Sequence, residues 1–190
     1  MINFDFSRFN RRLFLKTLGG GVPAAMLLRA TPAFAAGKKP LVRIVEFDAS
    51  GARKGVVEVE RIEKTADEWK KQMTVESYIV TRQAGTERPY SGKYATNHDD
   101  GLYHCICCDT VLFDSKTKFE SGTGWPSFWK PVAKENVTNR ADNSLGAQRV
   151  EVLCSRCDSH LGHVFEDGPP PTHLRYCMNS VALNFVPRGK

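Results

Sequence analysis

The chain lacks what a membrane span or a nucleic-acid partner would require. No apolar run in its 190 residues reaches the roughly 18 needed to cross a bilayer as a helix. A strong excess of one charge is also missing. The 27 Lys and Arg against 21 Asp and Glu give +6. Arg8, Arg11, Arg12, Lys16 and Arg29, against Asp5 alone, put +4 of that in residues 1–35. The remaining +2 is too little to mark a nucleic-acid surface. No internal repeat of useful period occurs, so no solenoid or propeller is expected. The 41% hydrophobic and 25% charged content excludes a wholly disordered chain, and the length suits one domain.

Residues 1–35 have the layout of an export signal. Arg11-Arg12-Leu13-Phe14-Leu15-Lys16 is a twin-arginine pair, an apolar step and a lysine. A weakly hydrophobic stretch from Thr17 to Leu28 follows, and Ala33-Phe34-Ala35 offers small residues for cleavage before Ala36. Charge, apolar core and small-residue end come in secretory order, and the pair resembles the twin-arginine type. An uncleaved amphipathic helix or membrane anchor is the other reading. Export would leave a mature chain in the periplasm, with no stable membrane insertion, and this route carries folded, metal-loaded cargo.

Beyond the signal, residues 36–65 read as an N-terminal extension. Alternation in Leu41–Phe47 and Gly55–Ile62 around Asp48-Ala49-Ser50-Gly51 predicts a β-hairpin. Thr65-Ala66-Asp67-Glu68 fits a capping box opening a short helix, and Thr74–Thr81 suits a second helical turn. Residues 85–100 are polar and turn-rich. Then come short apolar segments: Tyr103–Cys105, Val111–Phe113, Gln148–Leu153, His163–Phe165 and Ala182–Val186. The expected fold class is mainly β, with small antiparallel sheets and short N-terminal helices.

Cys105 and Cys108 form one C-x-x-C, and Cys154 and Cys157 a second, with 45 residues between them. Each spacing makes a knuckle whose two thiolates turn toward one ion. Two knuckles complete a closed shell of four thiolates, the pattern of one structural zinc. The long separation places the knuckles on different hairpins. Disulfides, common in exported proteins, or a redox-active dithiol are the competing readings.

Cys107 and Cys177 remain. Cys177 lies in Arg175-Tyr176-Cys177-Met178-Asn179-Ser180. On a strand, Arg175 would share its face and favour the thiolate. A buried free cysteine, packed as a small hydrophobe, is the plainer alternative. His160 and His163, three residues apart, suit proton donation or orientation of an oxyanion, since four thiolates already complete a metal shell. Trp125, in Ser121-Gly122-Thr123-Gly124-Trp125-Pro126-Ser127-Phe128, could offer its indole face to a ligand or simply fill the core.

Taken in order, these segments, with Glu151–Cys157 and His160-Leu161-Gly162-His163-Val164-Phe165 between them, resemble the peptide-methionine (R)-S-oxide reductases. These are the B class of methionine sulfoxide reductases, one of two classes divided by sulfoxide epimer. The resemblance spans about residues 66–187. It implies a zinc-bearing, β-tent-like fold with Cys105, Cys108, Cys154 and Cys157 as ligands. Cys177 would attack the sulfoxide sulfur and end as a sulfenic acid. Trp125 would pack on the substrate methyl. His160, His163 and Asn179 would hold or protonate the oxygen, and Arg175 would support the thiolate. Substrates would be oxidised proteins, the chain a monomer, and the reductant a thioredoxin-like or other thiol. Many members carry a resolving cysteine where this chain has Thr123, so regeneration must use Cys107 or an external thiol. The hairpin falls outside the resemblance. A zinc-stabilised binding module or a thiol-disulfide oxidoreductase are the other classes the motifs allow.

Overall fold

The structure is a computed structural model that describes residues 39–189 except 145 and 147. The expected export signal lies outside the described residues. Strand β1 (Leu41–Phe47) pairs antiparallel with β2 (Arg53–Glu60). Their turn closes because Asp48 Oδ1 accepts from the backbone N–H of Ser50 and Ala52, each at 2.9 Å. Helix α1 (Ala66–Lys70) opens on the expected capping box, with Glu68 N–H donating to Thr65 and Thr65 N–H to the Glu68 carboxylate. Thr74 caps α2 (Val75–Gln83), a full helix in place of the expected short turn.

Two antiparallel sheets carry the rest. The smaller contains β3 (Gly101–Cys105), β4 (Val111–Asp114) and β11 (Leu183–Pro187), in the order β11-β3-β4. The larger is built from β5 (Lys118–Phe119), β6 (Ser127–Phe128), β7 (Val137–Asp142), β8 (Arg149–Cys154), β9 (His160–Phe165) and β10 (Arg175–Met178). Its order is β5-β6-β10-β9-β8-β7. This is the mainly β architecture the sequence predicted. Several strand assignments differ from expectation: β9 begins at His160 rather than His163, Ala182 belongs to a 3-10 turn before β11, and β5, β6, β7 and β10 are additional strands. Val137-Thr138-Asn139-Arg140-Ala141-Asp142 is polar because only Val137 of this edge strand is buried.

The sheets meet over aromatic rings. Phe113 and Phe128 stack at 4.5 Å, and Tyr103 meets Phe128 edge-on at 5.0 Å. Such pairs contribute about 0.5–1.5 kcal/mol each beyond area burial. Leu112, Leu161, Met178 and Leu183 complete the buried centre. The hairpin is fastened to this body. Asn136, fully buried, accepts from Val45 N–H at 2.7 Å and donates to the carbonyls of Val45 at 2.9 Å and Val111 at 2.7 Å. Among the described residues, no helix is long and apolar enough to cross a membrane.

Candidate active site and metal centre

The two knuckles are local copies of each other. The first joins β3 to β4 and the second joins β8 to β9, on two hairpins as expected. In the first, Asp109 N–H donates to Cys105 O at 2.9 Å and Cys105 N–H to Thr110 O at 2.8 Å. In the second, Asp158 N–H donates to Cys154 O and Cys154 N–H to Ser159 O, both at 2.9 Å. Asp109 (φ 60°) and Asp158 (φ 54°) reverse the chain in the left-handed region, which Asp tolerates better than most residues. The four sulfurs converge within 4.8 Å of one another. Cys105 and Cys157 are 3.6 Å apart, Cys108 and Cys154 3.5 Å. A tetrahedral ion about 2.3 Å from each sulfur wants sulfurs roughly 3.8 Å apart. The donor set therefore fits a metal ion, and all four cysteines are free thiols.

Cys177 is on β10, whose neighbours on either side are β6 and β9. Its thiol lines a cavity of about 140 Å³ with Thr86, Trp125, Arg149, Gly162, His163, Phe165 and Asn179. The sequence thus identified four of these residues, Cys177, Trp125, His163 and Asn179. Burial pushes the Cys177 thiol up from its ordinary value. Thr123, the Arg175 guanidinium and Ser127 pull the other way. Thr123 Oγ1 lies 3.9 Å from the sulfur. Arg175 precedes Cys177 by two on the same strand, as expected, but its guanidinium is also bidentate on Asp167 at 2.9 and 2.8 Å. It lies over the Phe165 ring at 4.4 Å.

The histidines required a departure from strand geometry. Residues i and i+3 of a regular strand point to opposite faces. The rings of His160 and His163 nevertheless approach to 5.4 Å. The register shifts at Val152/Leu153, and Gly162 at φ 155° breaks the alternation between them. Gly162 is also where β10 presses closest: a Cβ there would fall 2.1 Å from Cys177 O. His163 borders the Cys177 cavity. His160 does not, and instead borders a neighbouring cavity of about 490 Å³ that His163 also lines. His160 is 3% exposed, and desolvation lowers its pKa against the raising effect of Glu151.

Asn179 is buried and already engaged, accepting from Glu87 N–H at 3.0 Å and donating to Leu161 O at 3.1 Å. Trp125 Nε1 donates to Glu87 O at 3.1 Å, which fixes the indole plane. Glu87 itself, 3% exposed, receives Ser180 and Val181 N–H on its two carboxylate oxygens. No sequence signal marks Glu87, because it lies in a polar, turn-rich stretch. Arg140, Asp142 and Arg149 also escape a reading of motifs, and Glu151 enters one with no role assigned. Their signal is an alternation: Arg-x-Asp on β7 and Arg-x-Glu on β8.

The SelR domain matches residues 73–187. Curated peptide methionine sulfoxide reductases MsrB are similar over most of the chain. The Pseudomonas fluorescens Pf-5 protein is 58% identical over 130 residues, covering 68% of this chain and 100% of that protein. The Pseudomonas syringae pv. syringae B728a protein is 58% identical over 131 residues, covering 69% and 100%. The Pseudomonas putida F1 protein is 55% identical over 130 residues, covering 68% and 99%.

Proposed function

Because the chain belongs to the SelR domain family, we propose that it reduces methionine-R-sulfoxide in oxidised proteins, with Cys177 as the nucleophile. The observation that carries this reading is a thiol opening on a cavity bordered by an indole and an imidazole. Trp125 takes the methyl end of the oxidised side chain. His163 and Asn179 border the space for the sulfoxide oxygen, and His160 acts from behind His163. The Cys177 thiolate attacks the sulfoxide sulfur while the oxygen takes a proton. Overall, sulfoxide and thiol become sulfide and sulfenic acid. The oxygen passes to the Cys177 sulfur, which is oxidised by two electrons as the methionine sulfur is reduced by two. Two external thiols then return the sulfenic acid to thiol, forming one disulfide and one water.

That second half favours a thioredoxin-like donor. Thr123 cannot resolve a sulfenic acid. Cys107 is buried, within 3.5 Å of Ser159 Oγ, and not among the residues lining the Cys177 cavity. Cys105, Cys108, Cys154 and Cys157 would hold one zinc, which supplies cross-linking of two hairpins and no open coordination position. Their convergence on one point speaks against using either C-x-x-C as a redox dithiol. The twin-arginine-like signal supports export to the periplasm, and Arg11→Lys with Arg12→Lys should retain precursor in the cytoplasm. The deciding experiment is epimer-resolved sulfoxide reduction by the mature chain with dithiothreitol. The R epimer alone should be reduced, and Cys177→Ser should be inactive. Equal use of both epimers, or an active Cys177→Ser, overturns the reading.

A further inference from the structure

Antiparallel pairing of β7 with β8 sets Arg140 opposite Glu151 and Asp142 opposite Arg149. Each carboxylate also reaches a histidine of β9. Glu151 receives Arg140 Nε and Nη2 on one oxygen, at 2.9 and 2.7 Å, and meets His160 Nδ1 at 2.6 Å with the other. Asp142 Oδ2 receives Arg149 Nη2 at 2.6 Å and meets His163 Nε2 at 2.8 Å. Glu151 and His160 are 5% and 3% exposed. We propose that Glu151 and Asp142 are positioning residues for the sulfoxide reduction, each fixing the tautomer and ring plane of its histidine. This rests on the reading of His160 and His163 given above.

An ionised carboxylate accepts an N–H, so the nitrogen it holds carries the proton and the other is assigned to the reaction. That leaves Nε2 of His160 and Nδ1 of His163. His160 Nε2 is buried and has no partner among the described residues, as expected of a nitrogen reserved for substrate or its water. Arg140 and Arg149 pair with the two carboxylates. Asp142 is held well below the usual carboxylate range by Ser144, then His163 and Arg149.

The test uses the metal-loaded mature chain. Nitrogen-15 spectra of wild type at neutral pH should find His160 protonated at Nδ1, and His163 at Nε2 if neutral. The opposite tautomers would overturn the assignment without any variant. Glu151→Gln and Asp142→Asn should each slow single-turnover sulfoxide reduction by about 10- to 100-fold, with KM changed less than threefold and metal content unchanged. If His160→Asn and His163→Asn are slow while both carboxylate variants match wild type, this inference fails alone. If the histidine variants also match wild type, the proton-delivery reading fails first.

A separate set of contacts concerns the hairpin, which precedes the matched domain. Ile62 N–H donates to Arg156 O of the second knuckle at 2.8 Å, and Arg61 pairs with Asp158 beside it. Asn136 ties Val45 of β1 to Val111 next to the first knuckle, and its own carbonyl accepts from Ser155 N–H of the second at 3.1 Å. We infer that the hairpin is a retaining strap that holds the two knuckles together and slows metal loss. Zinc transfer from the full mature chain to excess EDTA should be about tenfold faster in Asn136→Ala and several-fold faster in Arg61→Ala, with sulfoxide reduction by the loaded proteins unchanged. Wild-type release rates in both variants would overturn the strap. So would a Val45 amide in wild type that exchanges with solvent freely while the metal stays bound.

Discussion

Cysteine sulfur stands in two opposite settings in this protein. Four sulfurs of the knuckles face one another within 4.8 Å, three of their cysteines buried and Cys108 partly so. The Cys177 sulfur is half-buried and faces a cavity, with Thr123 and the Arg175 guanidinium as its polar company. Thiolates that share one cation are committed to structure. The Cys177 thiol instead faces open space, and the arginine beside it is already paired with Asp167. What separates them is the neighbour set that each hairpin or strand delivers, since the residue type is identical.

The largest effect should come from exchanging the two roles. Cys177→Ser should lower sulfoxide reduction by three orders of magnitude or more, roughly the loss expected when a nucleophile is removed. Metal content and melting temperature should stay as in wild type. Cys105→Ser should do the reverse, losing metal and cooperative unfolding together in metal analysis and calorimetry, because structural zinc contributes about 10–16 kcal/mol of apparent binding energy. Retained folding after full metal loss would break the contrast.

Next in size is Thr123→Cys. The native hydroxyl is 3.9 Å from the Cys177 sulfur, so an introduced thiol should capture the sulfenic acid as a disulfide within one turnover. Thiol trapping and mass spectrometry after one equivalent of substrate would detect it, and two free thiols would refute it. The smallest expected change is Arg175→Ala. Burial raises the Cys177 thiol and Arg175 opposes that, so the variant's thiol should titrate higher still. The reactive form is the thiolate, so the rate should climb with pH toward the folded pKa. The variant should be several-fold slower near neutrality, with the deficit closing in alkali. The stability sign agrees: a thiol raised on folding adds stability below its unfolded pKa and loses it as pH rises through the folded one.

Much of this was legible in the sequence because some signals are local. The capping box at Thr65 and Glu68, the two C-x-x-C spacings and the alternation in the hairpin each depend on residues within a few positions. The metal cluster followed from spacing alone. The pairing of His160 with Glu151 did not, since it depends on a register shift between β8 and β9. Spacing suggested proton donation or orientation of an oxyanion for His160 and His163, but not that His163 borders the Cys177 cavity and His160 the neighbouring one. Asn136 and Glu87 were invisible for another reason. Each is a polar residue in a polar stretch, and its burial is decided by segments 25 to 94 positions away.

Gly162 has a genetic consequence. Its hydrogen lies where any side chain would meet the carbonyl of Cys177, so even alanine must push β10 aside and carry the Cys177 sulfur with it. A screen that scores only loss of sulfoxide reduction would therefore return Gly162 alleles among the null mutants, beside those of Cys177. Allele strength would rank a residue that has no side chain with those that act through theirs. Only the intact but displaced thiol of the Gly162→Ala protein would tell the two kinds of null apart.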